Sequence, residues 1–204
     1  MKERILAEAE RLFWKYGVRS VTMEDIARQL GISKKTIYQH FTDKEQILYQ
    51  VIQDKTGRNQ SEMDCMAIET DNPVEEILGV LNMMRNHADQ VSPNLMNDIK
   101  RYYPQAFALF RQYKEGHIMR SILENIQKGI SQGIYRPDIN PTILARLRVE
   151  QIELAFNHEL FPSDQYSMHE VQAELMHHFV RGMLTDKGFT IYNQYVNQYN
   201  HEVK

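Results

Sequence analysis

A single cysteine, Cys65, leaves no partner for an intrachain disulfide or a cysteine-built zinc cluster. Long apolar runs are also missing. No stretch approaches the roughly 20 apolar residues that a membrane span needs. The opening residues, MKERILAEAERLF, carry acids where an export signal needs an apolar core. A cytoplasmic location without a membrane partner is therefore expected. The chain has no glycine-rich phosphate loop, no serine elbow and no Cys/His pairing for nucleophilic catalysis, so neither an enzyme nor a cofactor is expected. Alternating strand patterns, internal repeats and low-complexity tracts are absent as well. What remains is 204 residues, 42% apolar and 25% charged, enough for one or two helical domains with a substantial core.

The net charge of -3 hides an asymmetry. Residues 1–58 carry 11 Lys/Arg against 8 Asp/Glu, a balance of +3, while the rest carries 13 against 19, a balance of -6. A basic front on an acidic body directs attention to a polyanion at the N-terminal end.

Apolar periodicity predicts helices nearly throughout. Ile5, Leu6, Ala9, Leu12, Phe13 and Tyr16 recur at helical spacing, and Gly17 is expected to end that helix in a left-handed conformation. Thr22 is a candidate N-cap, with Glu24 and Asp25 in the first turn and Met23, Ile26, Ala27 and Leu30 as the buried stripe before Gly31. A short third helix is expected from Ser33 to Phe41. Thr42 with Glu45, or Asp43 with Gln46, then offers a capping box for a helix bearing Ile47, Leu48, Val51 and Ile52. Prolines 73, 93, 104, 137, 141 and 162 punctuate later runs, including a long one over 105–132 and two amphipathic ones over 141–160 and 167–185.

Two short helices joined by a glycine turn form a helix-turn-helix. On a wheel of about 100° per residue, Ile37 and Phe41 share the inward face of the third helix. Lys35, Thr36, Tyr38 and Gln39 point away, with Lys34 and His40 at the margins. Lys suits guanine O6 and N7, Gln suits adenine, a Thr methyl suits thymine, and Tyr suits phosphate. Lys44 opens the next helix, where its charge adds to backbone amides suited to phosphate.

The run ILAEAERLFWKYGVRSVTMEDIARQLGISKKTIYQHFTDKEQIL resembles the head of the TetR family of bacterial transcriptional regulators. Further on, RPDINPTILARL and FVRGMLTDKG are similar in outline to the family's last helices. The resemblance implies an all-α fold: a three-helix DNA-binding head over 1–46 and a larger helical effector-binding and dimerisation bundle over 47–204. It implies a homodimeric repressor on a palindromic double-stranded DNA operator, released by a small-molecule effector. The DNA-contacting positions it implies are Thr22, Lys34, Lys35, Thr36, Tyr38, Gln39, His40 and Lys44. Lys35 stands where the family often has a small residue.

For the body, nine of the 11 methionines lie beyond residue 60. Phe110, Tyr113 and His117 share one face of the long run, and Met83 and His87 are placed opposite them as a pocket for an apolar or aromatic effector. Phe179, Gly182 and Met183 are the expected dimer contacts. Two other readings compete: a helical protein-interaction module, and a metal-binding helical-bundle enzyme built on Glu174 and His177, with His169 on the same face. Cys65 is a candidate thiol sensor with no resolving cysteine.

Overall fold

The structure, a computed structural model, describes residues 1–88, 92, 95–157 and 159–202; residues 84–88 and 198–202 are described by their backbone alone. Eleven α-helices make up the described chain. They are α1 (Lys2–Tyr16), α2 (Met23–Leu30), α3 (Lys34–Tyr38), α4 (Lys44–Glu69), α5 (Pro73–Ala88) and α6 (Leu95–Tyr102). Then follow α7 (Pro104–Tyr113), α8 (Met119–Ser131), α9 (Pro141–Leu154), α10 (Met168–Met183) and α11 (Asp186–Glu202). No strand is present among the described residues; Tyr135 and Leu184 form one isolated bridge.

Local chemistry explains the boundaries. Thr22 caps α2 reciprocally: its hydroxyl accepts the Asp25 backbone amide, and the Asp25 carboxylate accepts the Thr22 amide. Ser167 and Glu170 repeat this box at α10. Asn140 caps α9, whose first residue is Pro141. Pro73 and Pro104 likewise open α5 and α7, while Pro93 lies outside the described residues. At α4, Asp43 Oδ1 accepts the Gln46 amide at 2.8 Å, and Gln46 returns its bond to the Thr42 amide at 2.7 Å. The cap thus joins the second expected pairing with one residue of the first.

Three expectations need correction. Gly17 ends α1 with φ 80 but ψ 151, an extended rather than left-handed helical geometry. The third helix stops at Tyr38, and Phe41 is buried just beyond it. The run over 105–132 is helical but broken by a π turn at Lys114–Ile118 between α7 and α8. There Lys114 is 6% exposed and its ammonium meets Glu153 at 2.5 Å and Glu150 at 3.4 Å.

The chain divides into two compact units. The first comprises Met1–Gln60 and Asp89–Tyr113. Its core joins Ile5, Phe13, Ile26 and Ile37 to Ile47, Leu48 and Val51 of α4 and to Leu95 and Ile99 of α6. The division expected between residues 46 and 47 falls inside α4, just where that helix begins burying side chains in this core.

The second unit comprises Ser61–Ala88 and Lys114–Lys204. Val74, Ile77, Ile122, Ile126, Val149, Val171, Met176 and Val180 are buried in it. Asn125 Nδ2 and Tyr135 Oη both donate to Pro73 O, at 3.0 and 3.2 Å, and Tyr135 Oη also lies 3.1 Å from Asn125 Oδ1. This satisfied polar knot ties the start of α5 to α8. Burial there pushes the Tyr135 phenol up, so it stays a neutral donor.

Candidate DNA-reading face and the body

The reading face starts at the turn between α2 and α3. Gly31 adopts φ 65 and ψ 32, and its amide returns to Ala27 O and Arg28 O. The turn passes to Ser33, whose hydroxyl accepts the Thr36 amide at 3.1 Å and lies 2.9 Å from Thr36 Oγ1. Ile37 is fully buried and Phe41 nearly so, which fixes the rotation of α3 about its axis. Lys34, Lys35, Tyr38, Gln39 and His40 are exposed, with Thr36 half-buried between them. Tyr38 keeps 48% of its surface open, and Lys34 Nζ stands 5.8 Å from its ring centroid. Of the six positions singled out from the sequence, Lys34, Lys35, Thr36 and Tyr38 thus lie in α3 and Gln39 and His40 just after it, all open except the half-buried Thr36.

Thr22 and Lys44 hold different positions. The Thr22 hydroxyl is engaged in the cap, 2.6 Å from Asp25 Oδ2. Lys44 turns inward: Nζ donates to Val18 O and Val21 O, both at 2.8 Å. Burial lowers its pKa, opposed by Asp98 and reinforced by Arg19. Lys44 thus fastens the segment that leads into α2.

Sequence reasoning missed the remaining parts of that fastening. The Arg19 guanidinium stacks 4.4 Å from the Tyr102 ring centroid, and Asp98 Oδ2 lies 3.5 Å from the Arg19 amide. A Cβ at Gly17 would sit 3.4 Å from that same carboxylate oxygen. Asp98 and Tyr102 belong to α6, an eight-residue helix 79 or more positions away in the chain. No local motif marks them; their only signal is an acid and an aromatic four residues apart on a helical face.

The expected pocket set divides between the units. Phe110 and Tyr113 close α7 in the first unit, where Phe110 packs on the core and lies 6.3 Å from Phe107. Met83 and His117 belong to the second. There His117 is 6% exposed and its Nε2 is 3.6 Å from Asp64 Oδ1. The side chain of His87 lies outside the described residues. Within the second unit a recess of about 230 Å³ is lined by Met63, Asp64, Met66, Glu76, Glu124 and Lys128.

The expected dimer residues also separate. Phe179 and Met183 are 5% and 1% exposed, buried in their own unit, so they have little surface to offer a second chain. Gly182 is exposed, with no atom within 4 Å of the place a Cβ would take. The open apolar surface nearby belongs instead to α9. Ile143 is 63% exposed, Leu147 48% and Leu154 38%, all on one stripe. A recess of about 290 Å³ runs between Ile143 and Leu147 of α9 and His178 and Gly182 of α10.

Among the described residues no group of three His, Cys, Asp or Glu could hold a metal ion. His177 Nδ1 is 2.7 Å from Tyr192 Oη, and the two rings meet edge to face. Cys65 is exposed. No described helix is long and apolar enough to cross a membrane.

With this geometry in place, comparison with known proteins is specific. Residues 5–51 match the family described as bacterial regulatory proteins, tetR family. An uncharacterized helix-turn-helix transcriptional regulator of Bacillus subtilis, YvaF, is 27% identical over 192 residues, covering 92% of this chain and 97% of that one. The transcriptional repressor KstR2 of Mycolicibacterium smegmatis is 25% identical over 154 residues, 71% of this chain and 72% of its own. Among solved structures, a TetR-family regulator from Agrobacterium tumefaciens shares the fold with a TM-score of 0.75 at 14% identity, over 90% of this chain and 97% of that one. The buried and exposed sides of α3, the family match that spans it and a similar regulator covered almost end to end agree: the chain carries a tetR-type helix-turn-helix head over residues 5–51 and is a DNA-binding regulator of transcription.

Proposed function

We propose that the protein is a homodimeric repressor. In this reading it holds a palindromic operator through Lys34, Lys35, Thr36, Tyr38, Gln39 and His40, and leaves it when a small apolar or aromatic effector occupies the second unit. The carrying observation is the surface of α3 and the two residues after it: five donor-rich or stacking side chains stand open and Thr36 is half-open, while Ile37 and Phe41 are buried. Gln39 and Lys35 carry base preference, and Tyr38 and Lys34 set register on phosphates. Thr22 orients the start of α2 toward the backbone. Lys44 acts indirectly, by holding the segment before α2.

Two α3 helices must stand about 34–36 Å apart, or a multiple of that, to enter successive major grooves. A shift of a few ångströms forbids joint engagement and removes the avidity of the pair. Within the first unit, α6 grips the segment before α2 through Asp98 and Tyr102. A displacement of α6 is therefore the local event that reaches α2 and α3. Dimerisation is assigned to α9 and α10, with Ile143, Leu147 and Leu154 as the apolar contribution and Gly182 as the point of close approach. The relative named as a repressor supports the sign of the regulation. The protein performs no chemistry in this role.

Binding to DNA fragments, followed as salt is raised, tests the proposal. Neutralising several phosphates makes affinity for the selected palindrome fall steeply with salt. Absent or salt-insensitive binding would return the protein to the class of interaction modules.

A further inference from the structure

Inside the second unit lies a charge that no other described residue compensates. Arg148, in the middle of α9, is 1% exposed. Its one hydrogen bond runs from Nη2 to Gln172 Oε1 of α10, at a long 3.4 Å. Nε and Nη1 are buried and have no hydrogen-bond partner among the described residues. The acids nearest in sequence are turned elsewhere, since Glu150 and Glu153 both meet Lys114. Gln172 is fixed in turn, its Nε2 donating to Ile152 O at 2.9 Å, which leaves Oε1 facing the guanidinium. Burial alone pushes the guanidinium down to about 10, with no carboxylate offsetting it, so it remains charged at neutral pH.

A buried ion without a counter-ion is costly, and buried guanidinium groups are ordinarily satisfied by carboxylates held in a bidentate fork. Here the fork is present and, among the described residues, the carboxylate is not. We propose that Arg148 is the anchor for the acid group of the effector, and that the effector is therefore an organic carboxylate whose apolar body lies among the buried side chains of the second unit. This rests on the effector-release reading and narrows its ligand class. Nη2 carries two hydrogens: Gln172 Oε1 accepts one and holds the guanidinium plane, and the other, with Nε–H on one edge or Nη1–H on the other, supplies the parallel donor pair.

The test titrates the full-length protein with octanoate and benzoate and, as neutral counterparts, methyl octanoate and methyl benzoate, at constant ionic strength. The Arg148 Hε–Nε resonance is followed by NMR and assigned by its loss in Arg148→Lys. The proposal predicts a saturable downfield shift of that resonance and a rise in Tm with at least one acid, neither occurring with its ester. In Arg148→Met, similar in length but uncharged, the Tm rise with acid is lost while the ligand-free Tm is no lower than wild type. No shift with either acid, an equal response to the esters, or an undiminished response in Arg148→Met would overturn it. Release of a selected DNA fragment is read separately by fluorescence anisotropy. Release by a neutral ester alone defeats the carboxylate assignment and leaves effector release standing. Carboxylate binding at Arg148 without DNA release does the reverse.

Discussion

Lys44 shows how far a residue's type can mislead about its job. A lysine at the start of a helix beside a basic reading face invites a phosphate contact. In the folded chain its ammonium instead closes the carbonyls of Val18 and Val21, two fully or almost fully buried residues. Lys44→Met leaves both acceptors unpaired, and each buried unpaired group costs about 1–3 kcal/mol. A fall in Tm, together with weaker binding to every DNA sequence by the same factor, is the expected outcome. Thermal denaturation and competition binding check it. Unchanged stability with weaker DNA binding would instead mark Lys44 as a direct contact. The α3 side chains were legible from the sequence because one buried residue, Ile37, sets the rotation of so short a helix. The partners of Arg19 were not, because Asp98 and Tyr102 arrive from α6 through tertiary packing that no local spacing encodes.

At the scale of elements, the turn between α2 and α3 depends on one backbone conformation. A Cβ at Gly31 would meet no atom within 4 Å, so any penalty of Gly31→Ala comes from its φ of 65 alone. That penalty is about 1 kcal/mol, read as a lower Tm, with loss of DNA affinity as α3 shifts against α2. The caps of α2 and α10 were readable because Thr22 with Asp25 and Ser167 with Glu170 act within three residues. The π turn at Lys114–Ile118 was not, since an extra residue in a helical turn leaves the apolar rhythm on both sides intact.

The contact between α10 and α11 carries a pH dependence. Burial lowers the pKa of His177, against a smaller raising effect of Glu174 and with a lowering one from Arg181. A histidine held neutral by the fold contributes its full stability above the ordinary value of 6.5; that contribution is lost progressively as pH falls below 6.5 toward the lowered folded value. Denaturant titrations between pH 8 and 5 are expected to show stability declining below 6.5. The slope should flatten in His177→Gln, and an equal slope in that variant would remove His177 as the cause.

For the whole molecule, the proposed mode of operator binding requires two copies. The stripe of Ile143, Leu147 and Leu154 is the largest open apolar feature of α9, whereas Phe179 and Met183 are spent on their own core. This reversal of roles was hidden in the sequence because an amphipathic helix does not reveal which of its apolar residues face its own chain. Leu147→Glu is expected to give a folded monomer by light scattering at micromolar concentration. Its affinity for a palindrome should fall by orders of magnitude as avidity is lost, with little change for a half-site. A dimer that persists in this variant would move the interface elsewhere.

The division of labour on α3 is the centre of the account, and one experiment reaches it most directly. Wild-type protein and Gln39→Ala are each used to select bound fragments from genomic DNA, and the enriched motifs are compared. A palindromic motif from wild type, altered in Gln39→Ala at one symmetry-related pair of positions and retained elsewhere, is the predicted result. No enriched motif from wild type, or the same motif from both proteins, would contradict it.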